Sequence, residues 1–264
     1  MKPKYLLIVA AGCFLIQSLM AQSDSTGSRH GIEETTKGIL LSAAVGIEYR
    51  IRAGLAVGGI MPLPIPLEIR KINSYQPMLN IWLEAEIMKT FTDSWALSTG
   101  LRMENKGMKT EALVKNYYMK MISDDGEVAG IWNGTVETSV TNSYISLPVL
   151  AVWKPTARWG IKFGPYISCL LNGRFSGYAR NGYLREGNPV GEKIEIKEAI
   201  YDLSFGMRQW LFGSQLGAEW RAFPHLIAAF DLTWGFNSVF RKNVEAVSFD
   251  MYPVYGTLSF AYAF

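Results

Sequence analysis

Between residues 225 and 264, apolar side chains fall on every second position, and no other feature restricts the fold so sharply. In 225–237 the even positions are Leu226, Ala228, Phe230, Leu232, Trp234 and Phe236, opposite His225, Asp231, Thr233, Gly235 and Asn237. In the last segment Tyr252, Val254, Gly256, Leu258, Phe260, Tyr262 and Phe264 alternate with Thr257, Ser259, Ala261 and Ala263. A β-strand turns successive side chains to opposite faces, whereas a helix repeats about every 3.6 residues and cannot give this pattern.

Six further stretches alternate in the same way: 50–61 (the weakest), 81–91, 95–104, 144–154, 159–172 and 212–222. Three joins are very short, at Thr92-Asp93-Ser94, at 155–158 and at Phe223-Pro224-His225. The others, 62–79, 105–142, 173–210 and 238–250, are long and carry Pro and Gly punctuation. Strict alternation of short and long joins predicts an all-β, antiparallel, up-and-down transmembrane β-barrel of about eight strands. Its tight turns are expected on the periplasmic side and its long loops outside. The count becomes ten if residues 39–49 and 194–204 both pair into the sheet.

The first 21 residues read as a signal peptide. Lys2 and Lys4 precede the apolar run Tyr5 to Ile16, and Ala21 supplies a small residue before the expected cut at Gln22. That run is too short to cross about 30 Å of hydrocarbon, so it is not read as an anchor. Cys13 lies inside the run and is taken as part of the signal. Residues 22–49 are then a periplasmic N-terminal segment, and 50–264 one barrel domain.

Composition narrows the class further. Hydrophobic residues make up 49% of the chain and aromatics 13%. Beyond the signal, however, no apolar run reaches the length of a spanning helix, about 18 residues. Without Lys2 and Lys4, 24 basic residues face 23 acidic ones, a balance that gives no reason to expect nucleic acid as a partner. Cys169 has no second cysteine, and histidine adds only His30 and His225, so no metal or cofactor is implied.

Alternation does not say which face points outward, and a soluble lipocalin-like carrier alternates as strongly with its apolar face inside. Charge decides for the membrane. Arg52, Glu84, Glu86, Arg102, Glu104, Lys162, Glu219, Arg221 and Asp231 sit in mid-strand on the polar face, more than a closed apolar core tolerates. The apolar face carries one charge, Lys89, beside a short turn where its ammonium can reach the interface. Phe91, Trp95, Trp153, Trp159, Trp220 and Phe223 gather beside the short turns, as an interfacial aromatic girdle does.

Several pieces together resemble the PorT-like outer-membrane β-barrel proteins of Bacteroidetes-type bacteria. They are Arg52-Ala53-Gly54-Leu55, Leu101 to Gly107, Tyr144-Ile145-Ser146-Leu147-Pro148, Gly164-Pro165-Tyr166, Leu216-Gly217-Ala218-Glu219-Trp220 and Leu258 to Phe264. They run in order across most of 50–264, and each alone is a common barrel pattern. The resemblance implies a small outer-membrane barrel without an assigned activity. One branch of that family serves a secretion and surface-attachment system, and no residue here marks this chain as belonging to it.

Catalytic readings find little support. A lipase-like or acyltransferase barrel needs a nucleophile and a base at the outer membrane edge, whereas His225 falls at a short turn and His30 in the N-terminal segment. Asp124, Asp125 and Glu127 read as a solvated acidic loop, too sparse in ligand spacing for calcium. Tyr117, Tyr118, Trp132, Tyr178 and Tyr183 either form a binding surface on long loops or belong to strands that run on beyond the membrane. Asn133-Gly134-Thr135 is a weak glycosylation sequon.

An eight-stranded barrel is only just wide enough for its own side chains, so the interior charges are expected to pair and fill it. The sequence therefore predicts a non-enzymatic surface scaffold, or a partner of other envelope or secretion proteins. It would lie among outer-membrane lipid and be inserted by the barrel-assembly machinery. A narrow pore for small solutes and a lipid-modifying barrel enzyme are the alternatives.

Overall fold

The computed structural model describes residues 46–123, 126–186, 191–241 and 249–264. The expected signal peptide and nearly all of the expected N-terminal segment lie outside the described residues. Ten strands follow in chain order: β1 (Ile47–Pro62), β2 (Ile69–Pro77), β3 (Asn80–Thr92), β4 (Trp95–Ser123), β5 (Gly126–Trp153), β6 (Trp159–Glu186), β7 (Lys193–Asp202), β8 (Trp210–Arg221), β9 (Leu226–Gly235) and β10 (Met251–Ala263).

Eight of them close a ring in the order β1-β3-β4-β5-β6-β8-β9-β10, every neighbouring pair antiparallel. Closure is made by β1 on β10, in register from Arg50↔Ala263 to Pro62↔Met251. A ring has no free edge, so each strand's backbone groups are paired where lipid offers no hydrogen bonds. The strand nearest the N-terminus begins at Ile47 rather than at residue 50. Short turns fall where expected, and hydroxyls help make them: the Trp95 amide donates to Thr92 Oγ1 and the Trp159 amide to Thr156 Oγ1, each at 3.1 Å.

The segments expected as long loops are largely strand, which decides between the two readings of their aromatics. Residues 105–142 run as one ladder of β4 on β5 almost to its tip, and β6 continues beside it to Glu186. Within 62–79, β2 pairs with β4 from Pro77↔Met108 upward, prolonging the line of β3. Residues 193–202 also pair, but as β7 on β6 beyond the ring, so the ring count stays at eight.

Bulges hid these extensions. On β6 the inward residues are even through Lys162, Tyr166 and Ser168. A register shift opposite Ser143 and Tyr144 then moves the inward set to Phe175, Gly177 and Ala179. A second shift, with Asn181 at φ 51°, returns it to Leu184. On β4, Asn116 at φ 58° does the same between Val114 and Met119. Asparagine tolerates this left-handed conformation, and each extra residue reverses the faces beyond it.

The outer surface of the ring is an apolar band. On β8, Trp210, Leu216 and Trp220 are 52%, 57% and 41% exposed. Ten steps of about 3.3 Å separate the two tryptophans, which at the usual barrel tilt of about 40° gives a band about 25 Å tall. Phe91, Trp95, Trp153, Trp159, Trp220 and Phe223 stand exposed at its short-turn edge. Trp210, Phe212, Trp234 and Phe236 form a second aromatic rim at the other edge, which the sequence reading had not singled out. Beyond that rim, Trp132, Val136, Val140, Phe175, Tyr201 and Phe240 belong to an apolar core between the prolonged strands.

Candidate functional site

Inside the band the lumen is packed with charge. The alternation that puts Leu and Phe on lipid puts their odd or even neighbours on the axis, so one parity of each strand supplies the interior. Among the described residues, ten charged side chains are buried. They are five cations, Arg50, Arg52, Arg102, Lys106 and Lys162, and five anions, Glu84, Glu86, Glu104, Glu219 and Asp231. Charges out of water are tolerated when paired and hydrogen-bonded, and the interior is balanced one for one.

The pairs are stacked along the axis. Arg50 Nη1 donates to both carboxylate oxygens of Glu219 at 3.1 Å, and Arg50 Nη2 lies 3.2 Å from Met88 Sδ. Arg52 Nη2 reaches Glu86 at 2.7 Å and Glu219 at 3.2 Å. Lys162 Nζ sits 3.2 Å from Asp231 and 3.8 Å from Glu219, while the Gln215 amide donates to Asp231 at 3.0 Å. One level on, Arg102 pairs with Glu84 at 2.7 Å, its guanidinium 4.5 Å from the centre of the Trp82 ring.

The last level is aromatic. Lys106 Nζ lies 3.0 Å from Glu104 and 5.4–5.6 Å from the ring centres of Tyr144, Tyr166 and Tyr255. Three ring faces and one carboxylate thus surround a single ammonium, an arrangement favoured by both the ring quadrupoles and the charge. Ser146 donates to the same carboxylate and shares a 2.6 Å bond with Ser168.

Of the interior charges expected from the sequence, Arg52, Glu84, Glu86, Arg102, Glu104, Lys162, Glu219 and Asp231 all lie in this buried set. Arg221 does not. It is partly exposed at the short-turn mouth, where it pairs with Glu48 at 2.7 Å and donates to the Pro224 carbonyl. Arg50, Glu48 and Lys106 were missed, because Glu48 preceded the expected first strand, Arg50 stood at its very start and Lys106 fell in an expected loop. Parity would have found them: Glu48, Arg50 and Arg52 share one face, as do Arg102, Glu104 and Lys106.

The other sequence candidates disperse. Trp132 is buried in the apolar core, Tyr117 stacks on Phe249 with centroids 5.7 Å apart, Tyr118 and Tyr178 are exposed, and the Tyr183 ring lies 5.5 Å from the Arg185 guanidinium and 4.6 Å from Lys193 Nζ, so the five aromatics do not all share one exposed surface. Asn133 is 9% exposed and its Oδ1 accepts the Asn116 amide at 3.0 Å, which removes it as a glycosylation acceptor in the folded chain. His225 sits at the short-turn rim, its Nδ1 2.7 Å from the Ala263 carbonyl. Asp124 and Asp125 lie outside the described residues. Among the described residues no cluster of His, Cys, Asp and Glu has the makings of a metal site.

The model of a family described as "outer membrane protein beta-barrel domain" matches residues 20–241. Solved structures with a similar course include Ail of Yersinia pestis, at 11% identity and TM-score 0.36, covering 83% of this chain and 100% of that one. Neisserial surface protein A aligns at 9% identity and TM-score 0.37, covering 83% and 97%. OprG from Pseudomonas aeruginosa aligns at 12% identity and TM-score 0.33, covering 82% and 95%. No curated protein matches the sequence.

Proposed function

The chain belongs to the outer membrane protein beta-barrel domain family and resides in the bacterial outer membrane, and from that premise we propose that it is a non-conducting, non-enzymatic surface protein. In this reading the ring is an anchor with a filled lumen, and the working part is the β-structure that β2 and the prolonged β4, β5, β6 and β7 raise beyond the lipid band. The observation that carries it is the neutral interior of five buried cations and five buried anions, stacked beneath the tyrosine cage. An open path would need some of these charges to be left to water and ions.

Sidedness belongs to the same proposal: short turns in the periplasm, extended hairpins outside, other envelope or secretion proteins as partners. So does insertion by the barrel-assembly machinery. The finer kinship with PorT-like proteins of Bacteroidetes-type bacteria rests on the sequence pieces quoted above. A lipid-modifying activity is disfavoured by the position of His225, at the rim opposite the extended hairpins.

Single-channel recording of the purified full chain in planar bilayers tests the reading. Silence at all voltages that the bilayer withstands is expected, and steady unitary openings would replace the anchor with a narrow pore.

A further inference from the structure

Above the ion pairs, between β1, β2 and the prolonged strands, lies a cavity of about 330 Å³. Ile60, Met108, Val114, Met119, Val136 and Phe175 are among its walls. Three of the hydroxyls that reach it are engaged elsewhere. Thr138 and Tyr201 share a 2.6 Å bond, Tyr201 donates to the Glu137 carbonyl at 3.0 Å, and Tyr75 donates to the Gly58 carbonyl at 2.6 Å. Burial pushes the Tyr117 phenol up to about 12, so it stays neutral. The walls are therefore mostly hydrocarbon, with Lys120 as their one charged residue among the described residues, and suit an apolar ligand.

Two observations bear on how an apolar ligand would reach it. First, the ladder of β1 on β3 ends at Ala56↔Asn80. Beyond that pair, Val57–Pro62 is paired with β10 alone among the described residues, while β2 pairs with β4. The wall between β1 and β2 thus has no backbone ladder. It is held by a side chain, the Tyr75 hydroxyl donating to the Gly58 carbonyl, while the Ile60 amide donates to Met108 Sδ on β4 at 3.3 Å. Both margins of this seam, Ile60, Met61 and Leu63 on one side and Ile69, Ile72 and Tyr75 on the other, line the cavity.

Second, the apolar exterior continues past the band beside the seam. On β4, by contrast, Met103 is followed by exposed Asn105, Lys109 and Lys115, with Leu113 and Tyr118 exposed singly among them. Beside the seam Met61, Leu63, Ile65, Leu67 and Ile72 all remain exposed, continuing the band upward. A run of neighbouring exposed apolar side chains of this kind marks an interaction site for something apolar, and what adjoins it is the lipid phase.

We propose that the cavity binds one hydrocarbon chain of a membrane amphiphile, admitted from the lipid phase through the seam between β1 and β2. A space of about 330 Å³ is at the small end of ligand pockets, which suits one hydrocarbon chain and not two side by side. This is independent of whether the lumen conducts, since the cavity lies beyond the tyrosine cage.

The test uses the full chain reconstituted in phosphatidylethanolamine–phosphatidylglycerol vesicles. One arm contains decanoic acid with a diazirine on its chain, and a second carries the diazirine on a phosphatidylethanolamine acyl chain. After irradiation, adducts are mapped by peptide mass spectrometry. Adducts on Met119, Val136 or Tyr201 that an excess of unlabelled lipid of the same kind removes are expected, while those on lipid-facing Leu97 and Leu101 persist. Labelling by decanoic acid alone identifies a free single-chain amphiphile; labelling from the phospholipid identifies a membrane lipid's own chain. In Ala112→Trp, which fills the cavity, the competed adducts fall about tenfold with the band adducts and heat-dependent gel shift unchanged. No competed cavity adduct in either arm, or adducts undiminished in Ala112→Trp, overturns the proposal.

Discussion

Arg50 and Glu219, 169 positions apart in sequence, meet across the lumen with one guanidinium nitrogen 3.1 Å from each carboxylate oxygen. Arg52 donates to the same carboxylate and Lys162 stands 3.8 Å from it, so Glu219 serves three cations. Glu219→Gln leaves five buried cations facing four anions. A loss of about 3–5 kcal/mol is expected, the usual consequence of stranding a buried charge. Urea titration of the refolded chain in lipid vesicles, followed by gel mobility, measures it; a change below about 0.5 kcal/mol would mean water already solvates the cluster.

Lys106 and Glu104 should reveal the same physics through non-additivity. Lys106→Met abandons the Glu104 carboxylate beneath three tyrosine rings, whereas adding Glu104→Gln removes that charge. The double variant is therefore expected to be more stable than Lys106→Met alone, by about 1–3 kcal/mol of coupling. Simple addition of the two single losses would deny the pair its dependence on each other.

The assignment of the outer face predicts a depth profile. Leu216 lies near the middle of the band and Phe223 at its short-turn edge. Arginine at Leu216 is expected to cost about 2–4 kcal/mol in a bilayer, against about 0–1 kcal/mol at Phe223. Equal costs at both positions would place the lipid boundary elsewhere.

Tyr75 fastens β2 to β1 through the Gly58 carbonyl. Tyr75→Phe is expected to destabilise that seam by about 0.5–1.5 kcal/mol, the net worth of one such bond. Hydrogen exchange should quicken in β2 while β8 and β9 stay protected. Quickening spread evenly over the ring would show that β2 and the barrel unfold as one unit.

A closed ring also predicts heat-modifiable mobility. Outer-membrane fractions run unboiled on SDS gels should give a faster band than boiled ones, because the paired, edgeless sheet resists detergent. A single mobility in both, with the protein recovered in the periplasm, would contradict the membrane ring.

How much of this was legible beforehand depends on parity. Within the lipid band every strand must turn one face to hydrocarbon, so period two was enforced from Trp95 to Glu104, from Trp159 to Ser168 and from Leu226 to Phe236. The same constraint exposed eight of the ten buried charges, because a charge on the wrong parity would face lipid. Above the band no lipid enforces it. Asn116 and Asn181 each insert a residue, the faces exchange, and strand was read as loop.

The sequence alone determined an eight-stranded antiparallel sheet with apolar and charged faces, since both follow from the order of side chains along single strands. Tertiary structure decided which charges meet: Arg50 with Glu219, Lys162 with Asp231, Lys106 amid three tyrosines brought from different strands. It also decided that β1 and β2 part above Ala56, leaving a side-chain seam over an apolar cavity. Partnership across a lumen depends on ring closure and register, which are properties of the closed sheet as a whole and are written in no single strand.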